Sequence, residues 1–110
     1  MTDNLLEEII RFRDERDWRQ FHNPKDLAIS LSLEAAELLE NFQWSSSDEA
    51  LQNRGGQIRE ELADVLILCV LMADAMDADL AEIVEAKLKK NAGKYPVEKA
   101  FGRKEKYYEL

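Results

Sequence analysis

The sequence predicts an all-α protein whose protomer is built like a four-helix bundle. Only four Gly and two Pro occur in 110 residues, and so few turn-forming residues favour long helices over a β fold. Apolar residues recur at three- and four-residue intervals in separate stretches, which is the spacing of helices that bury one face. A chain of this length fits one domain with a modest core, so self-association is expected.

Composition and charge exclude several classes of protein. Hydrophobic residues make up 45% and charged residues 35% of the chain, as in folded rather than disordered proteins. The net charge of −8 argues against a general role in binding DNA or RNA polymers. The longest apolar run, residues 65–73, is too short to span a membrane. A single cysteine, Cys69, and no secretory pattern in the first residues lead us to expect a cytoplasmic protein.

The first helix is predicted over about residues 4–17. Leu5 and Ile9 belong to its apolar stripe, and Glu and Arg residues occupy the other side. Thr2 or Asp3 is expected to cap its first turn, because short polar side chains accept hydrogen bonds from free backbone N–H groups.

The second helix is predicted to begin at Asn23-Pro24, a good capping residue followed by a proline at the first helical position. It should run to about Trp44. Its expected packing face comprises Leu27, Leu31, Ala35, Leu38, Leu39 and Phe42. The polar stretch from residue 45 to 56 is predicted as a loop, with room for one helical turn near residues 48–51.

A third helix is predicted over about residues 57–76, and its middle is apolar on every side. In so small a domain, the apolar surface of such a helix has to be buried against another subunit. We therefore expect a homo-oligomer.

Asp79, with Glu82 three residues later, predicts the start of a fourth helix that ends near Gly93. The domain prediction is a helical catalytic domain over residues 1–96 and a charged C-terminal tail over residues 97–110. Whether that tail is flexible or packs on a neighbouring subunit is left open.

Clustered carboxylates are the strongest chemical signal. Glu34, Glu37 and Glu40 follow each other at three-residue spacing, which places them on one face of a helix. Glu61 and Asp64 repeat that spacing on the third helix. Carboxylates beside apolar packing residues need compensation, and oxygen ligands suit Mg²⁺ or Mn²⁺ better than zinc.

Two alternatives bear on this interpretation. Di-iron bundles require Glu-x-x-His on two helices, and the one histidine, His22, lies outside such a motif. The aromatic residues Trp18, Phe21, Trp44 and Tyr95 either pack in the core or stack on a nucleobase, and the residue pattern leaves both open.

The motifs taken together resemble a known family. Glu34-Ala-Ala-Glu37 followed by Glu61-Leu-Ala-Asp64 is similar to the metal motif of the MazG-like nucleoside triphosphate pyrophosphohydrolases. The chain most resembles the dCTP pyrophosphatase branch of that superfamily. That resemblance extends over Arg16 to Pro24, Glu34 to Trp44, Glu60 to Ile67, and Lys87, Asn91 and Lys94-Tyr95-Pro96. It departs from the branch at Leu68, where a tyrosine is usual, and at Ala36, where glycine is frequent.

The resemblance implies particular roles for residues of this chain. The Mg²⁺ ligands would be Glu34, Glu37, Glu61 and Asp64. The base and sugar pocket would be lined by Trp18, His22 and Trp44. The phosphates would be approached by Lys87, Asn91, Lys94 and Tyr95.

The resemblance also implies an assembly and a reaction. Subunits would form a homodimer or a dimer of dimers with active sites between them. The expected reaction is hydrolysis of a nucleoside triphosphate between the α and β phosphates, with Glu37 or Glu40 accepting the proton of the attacking water. A non-catalytic nucleotide-binding or helical protein-interaction module is the alternative.

Overall fold

The computed structural model describes residues 3–110, with side chains from Asn4 onward. Every regular element in this range is helical, so the all-α prediction is confirmed. The predicted caps Thr2 and Asp3 lie outside the described side chains. Within the described range, no helix combines the length and apolar character needed to cross a bilayer. The chain divides into two compact units, one ending at Asp77 and the other running from Ala78 to Leu110.

The first unit contains three long helices. They are α1 (Asp3–Glu15), α2 (Pro24–Glu40) and α3 (Ser47–Ala75), with a short 3₁₀ turn at Arg19–Phe21 between the first two. Helix α3 packs against α2 and, over a smaller area, against α1. After α1, Asp17 turns the chain with a positive φ of 54°, a conformation that aspartate tolerates better than most residues.

Helix α2 begins as predicted and ends earlier than predicted. The side chain of Asn23 accepts a hydrogen bond from the backbone N–H of Asp26 at 2.9 Å, and Pro24 follows in the first turn. At the other end, the buried Asn41 donates its side-chain N–H to the carbonyl of Glu37 at 3.2 Å. Trp44 has a φ of 63°, which is incompatible with a right-handed helix. The predicted extension to Trp44 is therefore wrong.

The predicted loop over residues 45–56 is also wrong, because α3 already begins at Ser47. The side chain of Ser46 accepts a hydrogen bond from the backbone N–H of Glu49 at 3.2 Å. Ala50 is only 1% exposed, so this first segment is held by packing as well as by its cap. Irregularity is confined to Arg54, whose φ of −132° bends the helix. Tertiary burial outweighs the low helix propensity of the following glycine pair.

The core lies where α3 meets its neighbours. The buried apolar residues are Leu27, Ala50, Ile58, Val70, Leu71 and Ala73. Leu39, which the sequence placed on the packing face of α2, is 70% exposed in the single chain. The apolar middle of α3 is not covered all round either, since Leu62 is 57% and Leu66 is 46% exposed.

The second unit contains α4 (Leu80–Lys94), the short α5 (Val97–Ala100) and a 3₁₀ turn at Tyr107–Glu109. The predicted cap is present, because the side chain of Asp79 accepts a hydrogen bond from the backbone N–H of Glu82 at 3.2 Å. The C-terminal segment returns to the end of α4. The ring of Tyr107 lies 6.1 Å edge-on from that of Tyr95. The proposed division after residue 96 stays a prediction.

Candidate metal centre and nucleoside cavity

Three carboxylates from two helices meet in the first unit. Glu34 lies on α2, and Glu61 and Asp64 lie one turn apart on α3. One oxygen atom of each side chain lies within 4.8 Å of one oxygen of the other two. The three-residue spacing puts Glu61 and Asp64 on the same face of α3, and packing of α2 on α3 adds Glu34.

The charges of this carboxylate cluster are poorly compensated. Oε2 of Glu34 and Oε2 of Glu61 are buried and have no hydrogen-bond partner among the described residues. Burial raises the pKa of Glu34 to about 7, helped by contact with the Glu61 carboxyl and by the negative charges of Glu37 and Asp64. A bound cation would remove this strain, since a buried carboxylate without a partner is costly.

The donor set fits a hard divalent cation. All three groups are carboxylates, which suit Mg²⁺ or Mn²⁺ rather than zinc. Glu37, the fourth predicted ligand, is exposed and contacts the carboxyl of Glu34 without joining the three that converge. Glu40 is exposed and lies at the last position of α2.

A cavity of about 540 Å³ opens beside the carboxylate cluster. It lies within the first unit and includes Glu34 and Asp64 in its wall, so the cluster and the cavity form one continuous site. The full lining is Leu5, Glu8, Ile9, Phe12, Arg13, Trp18, His22, Ser30, Glu34, Asp64, Ile67, Leu68 and Leu71. A mostly apolar wall with a few polar groups is typical of small-molecule sites.

Two of the predicted base-pocket residues line this cavity. Trp18 packs edge-on against Phe12 with ring centroids 5.9 Å apart, and its ring lies 6.5 Å from that of His22. Nδ1 of His22 is buried and has no partner among the described residues. Burial and then the positive charge of Arg13 lower the pKa of His22. Both effects favour the neutral imidazole, which can still form a hydrogen bond with a ligand.

Trp44, the third predicted base-pocket residue, does not line the cavity and is 94% exposed. The four predicted phosphate-side residues belong to the second unit. Lys87 and Lys94 are exposed there, whereas Asn91 and Tyr95 are half-buried.

The sequence did not single out several cavity residues. Leu71 continues the face of α3 that carries Asp64, at helical spacing, and this spacing could have identified it. Arg13 and Ser30 had no such signal. Arg13 follows an apolar stripe that the sequence assigned to packing, and only the fold of α1 onto α3 reveals its position.

The chain is similar to known proteins over most of its length. Residues 29–110 match the MazG-like family. The chain is 40% identical to dCTP pyrophosphatase 1 of Mus musculus over 114 residues, which cover 96% of this chain and 67% of that protein. It is 39% identical to dCTP pyrophosphatase 1 of Homo sapiens over 96% of this chain and 67% of that protein. A solved pyrophosphatase from Archaeoglobus fulgidus has a TM-score of 0.78 and 47% identity, covering 86% of this chain and 91% of that one.

Proposed function

The chain belongs to the MazG-like family and is a nucleotide pyrophosphatase, and we propose that it hydrolyses a deoxynucleoside triphosphate to the monophosphate and pyrophosphate. A cytosine nucleotide, dCTP or a base-modified form of it, is the proposed substrate, and removal of unwanted nucleotides from the pool is the proposed role. The proposal rests on the observation that the carboxylate cluster and the cavity share part of their wall. Glu34 and Asp64 belong both to the carboxylate cluster and to the cavity.

Mg²⁺ is the proposed cofactor, and Mn²⁺ is expected to substitute for it. Glu34, Glu61 and Asp64 would hold the ion, with Glu37 completing the set from one turn along α2. When bound, the ion would neutralise phosphate oxygens and lower the barrier for attack at phosphorus.

In the proposed reaction, a water oxygen forms a bond to the α-phosphorus while the bond to the bridging α–β oxygen breaks. The electron pair of that bond leaves with pyrophosphate, and the water proton passes to a carboxylate. Glu37 and Glu40 are the proposed proton acceptors, because both are exposed on α2, where Glu37 lies one turn after Glu34 and Glu40 ends the helix.

The nucleoside would lie in the cavity, where the ring of Trp18 can stack on a base and Nδ1 of His22 can bond a polar group of the ligand. Trp44 is proposed to complete the base and sugar pocket, as the resemblance implies, although it does not line this cavity of the single chain. The side chains of Lys87, Asn91, Lys94 and Tyr95 are proposed to contact the phosphates, since ammonium groups stabilise a departing pyrophosphate.

A homo-oligomer, a dimer or a dimer of dimers, is part of the proposal. Large apolar side chains on α2 and α3 are exposed in the single chain: Ile29, Leu33, Leu39, Leu51, Leu62 and Leu66. Exposed apolar side chains in such number favour an interface with another copy. Analytical ultracentrifugation would measure the assembly directly. The cytoplasmic location remains a prediction from the sequence.

The reaction is tested by incubating the protein with Mg²⁺ and a panel of deoxynucleoside triphosphates, including cytosines modified at carbon 5. Chromatography separates the products. Monophosphate and pyrophosphate that disappear when EDTA is added are the expected result, with cytosine nucleotides turned over fastest. Diphosphate with inorganic phosphate would contradict the proposed bond cleavage, and turnover in EDTA would contradict the metal requirement.

A further inference from the structure

Arg13 is a buried cation in the wall of the cavity. Its residue surface is 2% exposed, although it lies on α1 between neighbours that are exposed. Burying a guanidinium beside an apolar cavity costs free energy, and an apolar side chain of similar volume would pack there without that cost. Asp14 and Asp74 offset this cost by pairing with the charge, but pairing alone does not explain why a cation lines the cavity.

The contacts of Arg13 leave part of its hydrogen-bonding capacity unused. Nε donates to Oδ1 of Asp14 at 2.9 Å, Nη1 donates to Oδ2 of Asp74 at 2.6 Å, and Nη2 lies 2.9 Å from Oδ1 of Asp14. A guanidinium carries five N–H donors, more than these three contacts use. Both acidic partners keep substantial contact with solvent, at 48% and 37% exposed side chains, whereas Arg13 is buried among the residues that line the cavity.

Arg13 lines the cavity and is held by a residue that lies well along α3 from the carboxylate cluster. Its partner Asp74 follows Asp64 on the same helix by ten residues, which corresponds to about 15 Å along a helix axis. If the triphosphate lies against the carboxylates, as in the function proposed above, the base extends toward Arg13. His22 is close enough for the charge of Arg13 to lower its pKa, so both polar groups belong to the same region.

We propose that Arg13 determines which base the site accepts, by donating an N–H to a carbonyl oxygen on the edge of the base. A guanidinium has hydrogen-bond donors and no acceptor. It therefore binds a carbonyl oxygen favourably and cannot accept a hydrogen bond from an amino group at the same place. Cytosine, thymine, uracil and guanine carry a carbonyl, and adenine has none. Arg13 would therefore favour carbonyl-bearing bases over adenine, whose only acceptors are ring nitrogens.

The test compares kcat/KM for dCTP and dATP in the wild-type protein and in Arg13→Met, which keeps length and removes the donors. A hydrogen bond to a charged group contributes about 1.5–3 kcal/mol, so kcat/KM for dCTP should fall about 10- to 150-fold. The value for dATP should change less than threefold. An equal loss for both substrates, or no loss for either, overturns the proposal.

Two further variants separate base recognition from anchoring of α1. Asp74→Asn weakens the tether between α1 and α3 and leaves the guanidinium in place, so it should lower the melting temperature without changing the dCTP/dATP ratio. A changed ratio in Asp74→Asn would assign selectivity to the tether and overturn the proposal. Arg13→Lys retains the charge but offers a single ammonium group as donor. Its ratio of kcat/KM for dCTP to that for dATP should lie between those of the wild type and Arg13→Met. Arg13→Lys therefore still tests the proposal if Arg13→Met does not fold.

Binding of nucleosides without phosphate keeps this inference separate from the proposed reaction. Isothermal titration with deoxycytidine and deoxyadenosine, in the absence of Mg²⁺, reports on the cavity alone. Stronger binding of deoxycytidine by wild type, lost in Arg13→Met, supports the role of Arg13 even in a protein that hydrolyses no nucleotide. Equal binding of both nucleosides, or no binding of either, overturns it even if hydrolysis is observed.

Discussion

All the buried side chains that the structure describes lie before Ala78, and none of the described residues from Ala78 to Leu110 is buried. The first unit has a core, a cavity and a cluster of carboxylates. The second presents exposed apolar residues along α4 and α5, such as Leu88 at 61% and Val97 at 75% exposed. The difference indicates that packing within the first unit can position a site, whereas the second unit has no buried core among its described residues.

The charges of the two units differ in the same way. Acidic residues outnumber basic ones in the first unit, and basic residues outnumber acidic ones in the second. An acidic cluster beside a cavity suits a cation and a nucleoside, while exposed lysines suit phosphates. The comparison supports the proposed division, in which the first unit carries the carboxylates for bond cleavage and the second supplies cations for the anionic substrate, and five predictions test the two units in turn.

The largest effect is expected for Glu61→Gln in the first unit. In the proposed mechanism, a bound metal ion lowers the barrier to hydrolysis. Removing one carboxylate of the cluster should weaken metal binding, so kcat/KM should fall more than about 100-fold. The melting temperature without metal should stay the same or rise, since Oε2 of Glu61 has no partner. Steady-state kinetics and thermal unfolding measure these two outcomes.

The matched control is Glu60→Gln, which removes the same charge from the preceding, exposed position of α3. Its activity should stay within about twofold of wild type, as for most surface substitutions. Equal losses in the two variants would show that the effect comes from general charge rather than from the carboxylate cluster.

The next effect is expected in the second unit, for Lys94→Ala. If Lys94 contacts the triphosphate, KM should rise about tenfold, because a charged hydrogen bond is lost. The change in kcat should be smaller. Lys90→Ala removes a charge from the same helix at another exposed position and should leave KM nearly unchanged. A rise in KM in both variants would mean that overall charge, not a specific contact, attracts the substrate.

A pH dependence is expected from Glu34, whose pKa is raised to about 7. Mg²⁺ competes with a proton at this group, so Mg²⁺ affinity should fall by up to about tenfold for each pH unit below 7 and level off above it. Titration calorimetry between pH 5.5 and 8.5 measures the effect. In Glu34→Gln, the remaining Mg²⁺ affinity should lose this dependence, and a persistent step near pH 7 would assign the proton to another group.

The same group makes a prediction for the metal-free protein. The folded-state pKa of Glu34 lies above the unfolded value of about 4.5, so the folded state binds more protons between these two values. The free energy of unfolding contributed by this group should therefore be largest at low pH and decrease as the pH rises toward 7. Adding Mg²⁺ above pH 7 should restore stability. Melting temperatures with and without Mg²⁺ test the sign.

The smallest effect is expected for Tyr107→Leu at the C-terminal turn. The ammonium of Lys94 lies 4.9 Å from the Tyr107 ring centre, and the rings of Tyr95 and Tyr108 pack edge-on against it. Loss of these contacts should destabilise the segment by about 1 kcal/mol. Amide hydrogen exchange in residues 97–110 should then be about fivefold faster. Tyr107→Phe retains the ring and should behave like wild type, whereas unchanged exchange in Tyr107→Leu would show that these contacts do not hold the segment.

The sequence predictions that succeeded rest on interactions between residues close together in the chain. The starts of α2 and α4 were predicted correctly, because Asn23 and Asp79 each bond a backbone N–H three residues away. The start of α3 was missed although Ser46 bonds the backbone N–H of Glu49 in the same way, because the polar stretch ending in the glycine pair at residues 55–56 favoured a loop. The end of α2 was missed because a tryptophan gives no sequence signal for the positive φ that Trp44 adopts.

For the site, the spacing within each helix placed Glu61 and Asp64 on one face, and the motifs identified the family. Only the packing of α2 on α3 decided that Glu34 meets this pair while Glu37 stands beside it. Trp18 and His22 were predicted as pocket residues, and the fold determined that they share a cavity with the carboxylates.

The sequence alone therefore determined the helical class, two helix starts and the carboxylate spacing, because each depends on residues within a few positions of one another. The tertiary structure decided which carboxyl oxygens are buried without partners and where a cavity opens. It also decided that Arg13 meets Asp74, 61 residues further along the chain. Burial and long-range contacts set the pKa of Glu34 and the position of Arg13, and neither is encoded in the spacing of a single helix.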